Sequence, residues 1–211
     1  MMKWTVLSDN RSSDSHLSTE HGLSVLMETE RYKILLDTGA SDAFLRNAEQ
    51  MGIGLSDVDY VFISHGHSDH AGGLQYLLER NRLAKAAIER TQSQVCLNYA
   101  EHEQARTKFK VIISPDAMNS KFFSKRGNLH SITTEWPEIE DDRLILIDKT
   151  FEIANGLHAV AHIPQIHPMP KGNQNLYVQD ANGDYIHDDF RHELALYTNG
   201  LLFTGCAHSG L

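Results

Sequence analysis

Between a short apolar run and a helical pattern, the chain carries the segment FISHGHSDHAGGL at residues 62–74. Four of its side chains are imidazoles or carboxylates: His65, His67, Asp69 and His70. Such groups crowd and repel one another when the histidines are protonated, unless a cation lies among them. The segment therefore predicts a metal site at a tight turn.

The segments around this turn predict a strand before it and a helix after it. DYVFIS (59–64) is short and apolar, whereas Leu74, Leu77 and Leu78 follow helical spacing within 72–90. The turn therefore lies at the carboxyl end of a buried strand. Upstream, the patterns predict strands at 3–8, 23–29 and 32–38, and a helix at 41–53 capped by Ser41.

The second half of the chain is richer in strand patterns. Asn199-Gly200 is typical of a tight hairpin, and 163–173 is a proline-containing loop long enough to overhang a site. A helix is predicted at 115–127, with proline at its start and glycine at its end. Strands are predicted at 94–98, 110–114, 143–148, 156–163, 175–180, 193–198 and 200–205. This order predicts an α/β fold of two packed sheets covered by helices, with ligands on loops at one edge.

Composition limits the possible partners. A chain of 211 residues, 41% apolar and 22% charged, predicts one globular domain over 1–211. Its formal charge of −9 disfavours nucleic acid, and we expect a small-molecule substrate and no membrane partner. Only Cys96 and Cys206 are present, and the N-terminus has no signal-peptide pattern, so we expect a cytoplasmic protein. The oligomeric state is not indicated.

The spacing within the turn predicts how the ligands divide. Residues two apart at a strand end point to one side, so His65 and His67 suit one metal. Asp69 and His70 diverge as the helix begins and suit a second metal, about 3.5–4 Å from the first. The alternatives are a histidine-rich surface loop and a closed structural zinc. Four such groups in six residues, with a carboxylate and no thiolate among them, favour a catalytic site.

A second ligand cluster is predicted in LLFTGCAHSG (201–210), where another apolar strand ends. His208 repeats the strand-end position of His65 and His67. Cys206 is either a thiolate ligand or a small buried residue. His208 is therefore the firmer candidate in this segment.

Other polar residues are weaker candidates. Asp37, at the end of another strand, either orients a ligand histidine or caps the next helix. The segment HDDFRHELAL (187–196) predicts a mostly solvated face from which one acidic or imidazole group could reach the site. His162 and His167 flank the proline-containing loop.

These residues resemble the hallmark His-x-His-x-Asp-His of the metallo-β-lactamase superfamily. EHGLS (20–24), LLDTGAS (35–41), SHGHSDHAGGL (64–74) and GCAHSG (205–210) further resemble the branch named after dihydropterin ribofuranosyl-aminobenzene phosphate synthase. The resemblance implies a four-layer αβ/βα sandwich with a di-metal site at one edge. Many members carry Thr-Gly-Asp with a bridging aspartate, where this chain has Thr204-Gly205-Cys206.

Members of this branch generally continue past GCAHSG to a late histidine ligand, whereas this chain stops at Leu211. We therefore expect that the C-terminal part is truncated. Three explanations stay open: the second metal lacks one ligand, another chain supplies that ligand, or the sequence is incomplete.

The resemblance implies a hydrolase in which metal-bound hydroxide attacks a small anionic ester or phosphoester. His65, His67 and His208 would hold the first metal, and Asp69 with His70 the second. Asp69 would also accept a hydrogen bond from the nucleophilic water. Zinc is favoured, with manganese or iron as alternatives. Two other functions stay open: a transferase in pterin chemistry, with Phe122, Phe123, Trp136 and Tyr185 as possible pocket residues, and a non-catalytic metal-binding or sensing protein.

Overall fold

The computed structural model of the chain describes residues 2–92 and 109–210, with side chains up to residue 86 in the first range. The strand predicted at 94–98, with Cys96, lies outside the described residues. In the part of the chain that is described, no helix is long and apolar enough to cross a membrane.

Strands dominate the described residues, and helices follow three of them. The strands are β1 Lys3–Ser8, β2 Ser24–Glu28, β3 Lys33–Leu36, β4 Tyr60–Phe62, β5 Lys110–Ile113, β6 Phe122–Ser124, β7 His130–Ser131, β8 Leu144–Leu146, β9 Phe151–Ala154, β10 Leu157–Val160, β11 Leu176–Gln179, β12 Tyr185–His187, β13 Ala195–Thr198 and β14 Leu201–Phe203. The helices are α1 Ala43–Gln50, α2 Ser68–Ala71, α3 Leu74–Gln92 and α4 Pro115–Asn119. The strands and helices predicted up to residue 92 are confirmed, although the N-cap of α1 is Asp42 and not Ser41 as predicted.

The first sheet has the strand order β1-β2-β3-β4-β5-β8. Its first three strands pair antiparallel, and the pairs from β3 to β8 are parallel. Parallel neighbours require a crossover, which α1 provides between β3 and β4. Since the carboxyl ends of parallel strands meet at one edge, the residues that follow β3 and β4 lie side by side.

The second sheet, β14-β13-β10-β9, is antiparallel throughout. Thr198 pairs with Leu201 across a two-residue turn, in which Asn199 and Gly200 have φ angles of 52° and 78°. Positive φ at both turn residues is the geometry that Asn-Gly favours, so the predicted hairpin is confirmed. A third antiparallel sheet, β12-β11-β6-β7, was not predicted.

Two hydrophobic clusters define the layers of the fold. One face of the first sheet packs against α1 and α3 through residues such as Leu35, Phe44 and Leu74. The opposite face packs against the second sheet through residues such as Phe62 and Leu196. The predicted α/β sandwich is thus confirmed, with a helical layer and two sheet layers among the described residues.

The helix predicted at 115–127 is shorter than expected. Helix α4 ends at Asn119, since Ser120 takes the extended angles φ −95° and ψ 155°. Strand β6 then begins at Phe122, which pairs with Val178 of β11. The partner strand lies far along the chain, so the local pattern of proline and glycine missed the end of the helix.

Candidate metal centre

The predicted histidine turn lies at the edge of the first sheet where β3 and β4 end. His65 and His67 follow β4, and His67 takes the N-cap position of α2 with extended angles of φ −75° and ψ 142°. Gly66 allows a close approach here, because a Cβ atom would lie 2.4 Å from Cε2 of Phe122 and 2.8 Å from the carbonyl oxygen of Ala117.

Three imidazoles meet at this edge: His65, His67 and His208. Their ring centroids lie 4.7 to 5.2 Å apart, and one nitrogen from each lies within 4.8 Å of the others. The three residues are 0%, 3% and 9% exposed, and the Nε2 atoms of His65 and His208 are buried without a hydrogen-bond partner. A buried polar atom without a partner costs about 1–3 kcal/mol, so this cluster is suited to binding a cation.

The neighbours of His65 and His208 determine which nitrogen carries the proton. Ser64 Oγ donates to Asp37 Oδ2 at 2.7 Å and so accepts from His65 Nδ1 at 2.8 Å. Asn173 Nδ2 donates to the carbonyl oxygen of His208, which leaves its Oδ1 as the acceptor for His208 Nδ1 at 2.8 Å. Both histidines therefore carry their proton on Nδ1 and keep the Nε2 lone pair for a ligand.

A second group of donors, His65, His70 and Cys206, lies beside the first. His70 Nδ1 is 2.6 Å from Asp37 Oδ2, and His70 Nε2 is 3.1 Å from Cys206 Sγ. Cys206 is an exposed free cysteine. Asp69 lies at the edge of this group, with Oδ2 3.7 Å from His70 Nε2 and 3.4 Å from His21 Nε2.

Asp37 organises both groups of donors. It is fully buried, and Oδ1 accepts from the backbone N–H of Ser64 at 2.7 Å while Oδ2 faces Ser64 Oγ and His70 Nδ1. A Cβ atom at Gly205 would lie 2.2 Å from Ser64 Oγ, so this position requires glycine. Of the two roles considered for Asp37, the structure shows the orienting one, since the N-cap position of α1 is Asp42.

The segment 187–196 is more buried than predicted. Glu193 is 1% exposed and accepts the backbone N–H groups of His208 and Ser209 at 2.8 and 2.7 Å. Asp188 and His192 are also buried and form a third group with His67. These side chains turn inward because the segment leads into β13, which packs on the first sheet.

The comparisons with known proteins agree with this geometry. The family model of the metallo-beta-lactamase superfamily matches residues 18–170. The chain belongs to this superfamily. The resemblance drawn from the histidine turn is confirmed.

Two of the similar proteins align with almost the whole chain, and a third aligns with part of it. An uncharacterized protein of Methanocaldococcus jannaschii is 25% identical over 98% of this chain and 70% of its own length. The crystal structure of a metal-dependent hydrolase of the beta-lactamase superfamily has a TM-score of 0.69 and 28% identity, over 99% of this chain and 67% of that one. The 7,8-dihydropterin-6-methyl-4-(beta-D-ribofuranosyl)-aminobenzene-5'-phosphate synthase of M. jannaschii is 34% identical over 34% of this chain and 26% of its own length.

The other sequence candidates lie apart from the superfamily motif. His162 and His167 are exposed, and among the described residues neither belongs to a group of three metal-ligating side chains. Trp136 packs against the core cluster on the helical side, and Phe123 packs edge-to-face on Tyr185 in the third sheet. Phe122 lies next to the site, with its ring centroid 5.2 Å from that of His67.

Burial and mutual repulsion lower the pKa values of the three clustered imidazoles. Burial is the main cause for His65, whose pKa lies well below its ordinary value, and neighbouring imidazoles add to it. Burial also lowers the pKa of His67, against an opposing effect of Asp188. Burial, with repulsion from His67 and other imidazoles, lowers the pKa of His208 to about 3. The lone pairs of these rings are therefore available at neutral pH.

The pKa values of His70 and Asp188 are shifted mainly by charged neighbours, against the effect of burial. Burial by itself lowers the pKa of His70, but the Asp37 carboxylate outweighs this and raises it well above its ordinary value. Burial by itself raises the pKa of Asp188, but the imidazoles of His192 and His67 outweigh this and lower it. Asp188 is therefore a buried anion.

We expect the metal-free protein to lose stability as the pH falls below about 6.5, the ordinary pKa of histidine. His65, His67 and His208 have lowered pKa values in the folded state, so the unfolded state binds more protons in this range. Each can remove up to about 1.4 kcal/mol of unfolding free energy per pH unit. His70 acts in the opposite sense, and its contribution is lost as the pH rises through its raised pKa.

Urea unfolding with a chelator, between about pH 4.5 and about pH 8.5, measures this dependence. We expect the unfolding free energy to be highest near pH 6.5. An unfolding free energy that stays constant below this pH would contradict the burial of the three imidazoles. With saturating zinc the loss on the acidic side should persist, because bound metal keeps protons off its ligands while the unfolded state still takes them up.

Proposed function

We propose that the protein is a metal-dependent hydrolase of a small anionic ester or phosphoester. The observation that carries the proposal is the convergence of His65, His67 and His208 in a buried cluster, in which the Nε2 atoms of His65 and His208 have no hydrogen-bond partner. The relative described as a metal-dependent hydrolase of the beta-lactamase superfamily supports the same reaction class.

In this proposal the site takes two divalent cations. His65, His67 and His208 would hold the first, and His70 with Cys206, next to Asp69, would hold the second. Imidazole and thiolate ligands favour zinc, and the Asp69 carboxylate also suits manganese or iron. Because Cys206 would act as a free thiolate, the proposal includes a reducing compartment such as the cytoplasm.

When bound, such cations lower the pKa of coordinated water towards neutrality and polarise the bond to be cleaved. The protein's own contribution is to hold the imidazoles in one tautomer through Ser64, Asp37 and Asn173. Asp69 would accept a hydrogen bond from the nucleophilic water, since its side chain is 21% exposed and its Oδ2 atom lies 3.7 Å from His70 Nε2.

Element analysis of protein purified without added metal, with a screen of phosphoesters, lactones and thioesters, tests the proposal. We expect bound divalent metal and turnover in the wild type. His67→Ala should lose both metal and activity. Asp69→Ala should lose turnover by at least about 100-fold, the lower range for a lost proton-transfer group, while the fold remains.

Exposed Asp148 provides a matched control, since Asp148→Ala removes the same atoms from a residue that belongs to none of the donor groups. Bound metal without turnover on any substrate would favour a sensing protein. Tight binding of a pterin without hydrolysis would favour a transferase in pterin chemistry, the alternative to which the similarity to the M. jannaschii synthase gives support. A wild-type chain without metal affinity would contradict the proposal itself.

A further inference from the structure

Asp188 directly follows β12 and is buried next to His67. Its Oδ1 atom accepts the backbone N–H of Phe190 at 2.8 Å. Its Oδ2 atom lies 3.1 Å from His192 Nε2 and 3.6 Å from His67 Nε2. One carboxylate oxygen therefore faces two imidazole nitrogens inside the protein.

The proton on His192 can be located from its other nitrogen. The backbone N–H of Gly66 donates to His192 Nδ1 at 3.1 Å, so this nitrogen carries a lone pair. The ring proton is then on Nε2, where it is donated to Asp188. A nitrogen that holds its proton cannot ligate a metal. His192 therefore serves as a hydrogen-bond donor to Asp188, although a ring nitrogen of His192 lies within 4.8 Å of the possible ligand atoms of His67 and Asp188.

The same carboxylate decides the tautomer of His67. If Nε2 of His67 carried a lone pair, that lone pair would face the Asp188 anion at 3.6 Å, and the two would repel each other. If Nε2 carries the proton, the contact becomes favourable, and a modest shift of the ring makes it a hydrogen bond. The Nδ1 atom then keeps the lone pair.

We infer that Asp188, held by His192, is a positioning residue that makes His67 bind the cation through Nδ1, whereas His65 and His208 bind through Nε2. This inference rests on the proposed metal site. A histidine that donates its second ring N–H to a carboxylate is fixed in orientation and becomes a stronger ligand. Phe122 packs against both rings, with its centroid 5.2 Å from that of His67 and 4.3 Å from that of His192, which limits their rotation.

The tautomers can be observed directly in the wild-type chain. Long-range ¹H–¹⁵N spectra of ¹⁵N-histidine protein, with and without cadmium, distinguish a protonated nitrogen, a free lone pair and a coordinated nitrogen. We expect the His67 signal, identified by its absence in His67→Gln, to show Nε2 protonated in both samples and Nδ1 coordinated to cadmium. Cadmium on Nε2 of His67 would overturn the inference.

Asp188→Asn gives a second test, since the amide places an N–H₂ group or a weaker acceptor opposite His67. We expect zinc affinity to fall about 10- to 100-fold, the usual effect of losing an outer partner of a metal ligand. Asp189→Asn is the matched control: Asp189 is the exposed neighbour, paired with Arg191, and its replacement should leave zinc affinity unchanged. Circular dichroism checks that both variants fold.

The two proposals fail in different ways. A wild-type chain that binds neither zinc nor cadmium overturns the proposed function. A wild type that binds metal, with equal zinc affinity in folded Asp188→Asn, overturns the role of Asp188 and leaves the proposed function intact.

Discussion

His208→Ala is expected to lower zinc affinity by more than about 100-fold, because loss of a direct ligand exceeds the 10- to 100-fold effect of losing an outer partner. Hydrolysis should disappear with the metal. The loop around residue 208 should keep its place, because Glu193 binds the backbone N–H groups of residues 208 and 209, which alanine retains. The variant thus separates metal binding from folding.

Zinc-dependent stabilisation measures this effect. The wild type should gain about 2.7 kcal/mol of unfolding free energy at a free zinc concentration of 100 times its Kd. At the same zinc concentration, His208→Ala should gain almost nothing. The exposed imidazole of His130 serves as the control, and His130→Ala should respond like the wild type. Equal stabilisation of His208→Ala would show that the three imidazoles do not hold the cation.

Local sequence patterns were sufficient to predict the strands, helix and turn that surround this site. The apolar run that forms β4, the helical spacing of α3 and the Asn-Gly turn between β13 and β14 are all signals within a few residues. Parallel pairing of β3 and β4 then places Asp37 next to the histidine turn. A sequence can therefore indicate that the ends of β3 and β4 meet, because strand, helix and strand in succession favour a parallel pair.

The outer partners of the histidines depend on contacts that no local pattern contains. Gly66 and His192 meet although they lie 126 residues apart in the chain. Asp188 and Glu193 stand in a charged segment that has the composition of a solvated face, and only packing of β13 on the first sheet turns them inward. Strands β6 and β12 have three residues each, too few for an alternating pattern to be recognised.

Asp37→Ala is expected to destabilise the metal-free protein by about 3–5 kcal/mol, the usual cost of removing one partner of a buried charged pair. The change would leave the backbone N–H of Ser64 and the Nδ1 proton of His70 without an acceptor. It would also release the hydroxyl of Ser64, which orients His65. Urea unfolding in the presence of a chelator measures the loss.

Backbone strain contributes to this loss and can be measured separately. Asp37 has a φ angle of 55°, a conformation that aspartate and asparagine tolerate better than alanine. Asn199, with φ 52°, lies in the hairpin turn and bears no buried carboxylate, so Asn199→Ala reports the backbone cost alone. Asp37→Asn keeps the favourable backbone, removes the charge and replaces one acceptor oxygen with an N–H₂ group. If Asp37→Ala cost no more than Asn199→Ala, the buried carboxylate would contribute little, and the orientation of His65 and His70 would need another cause.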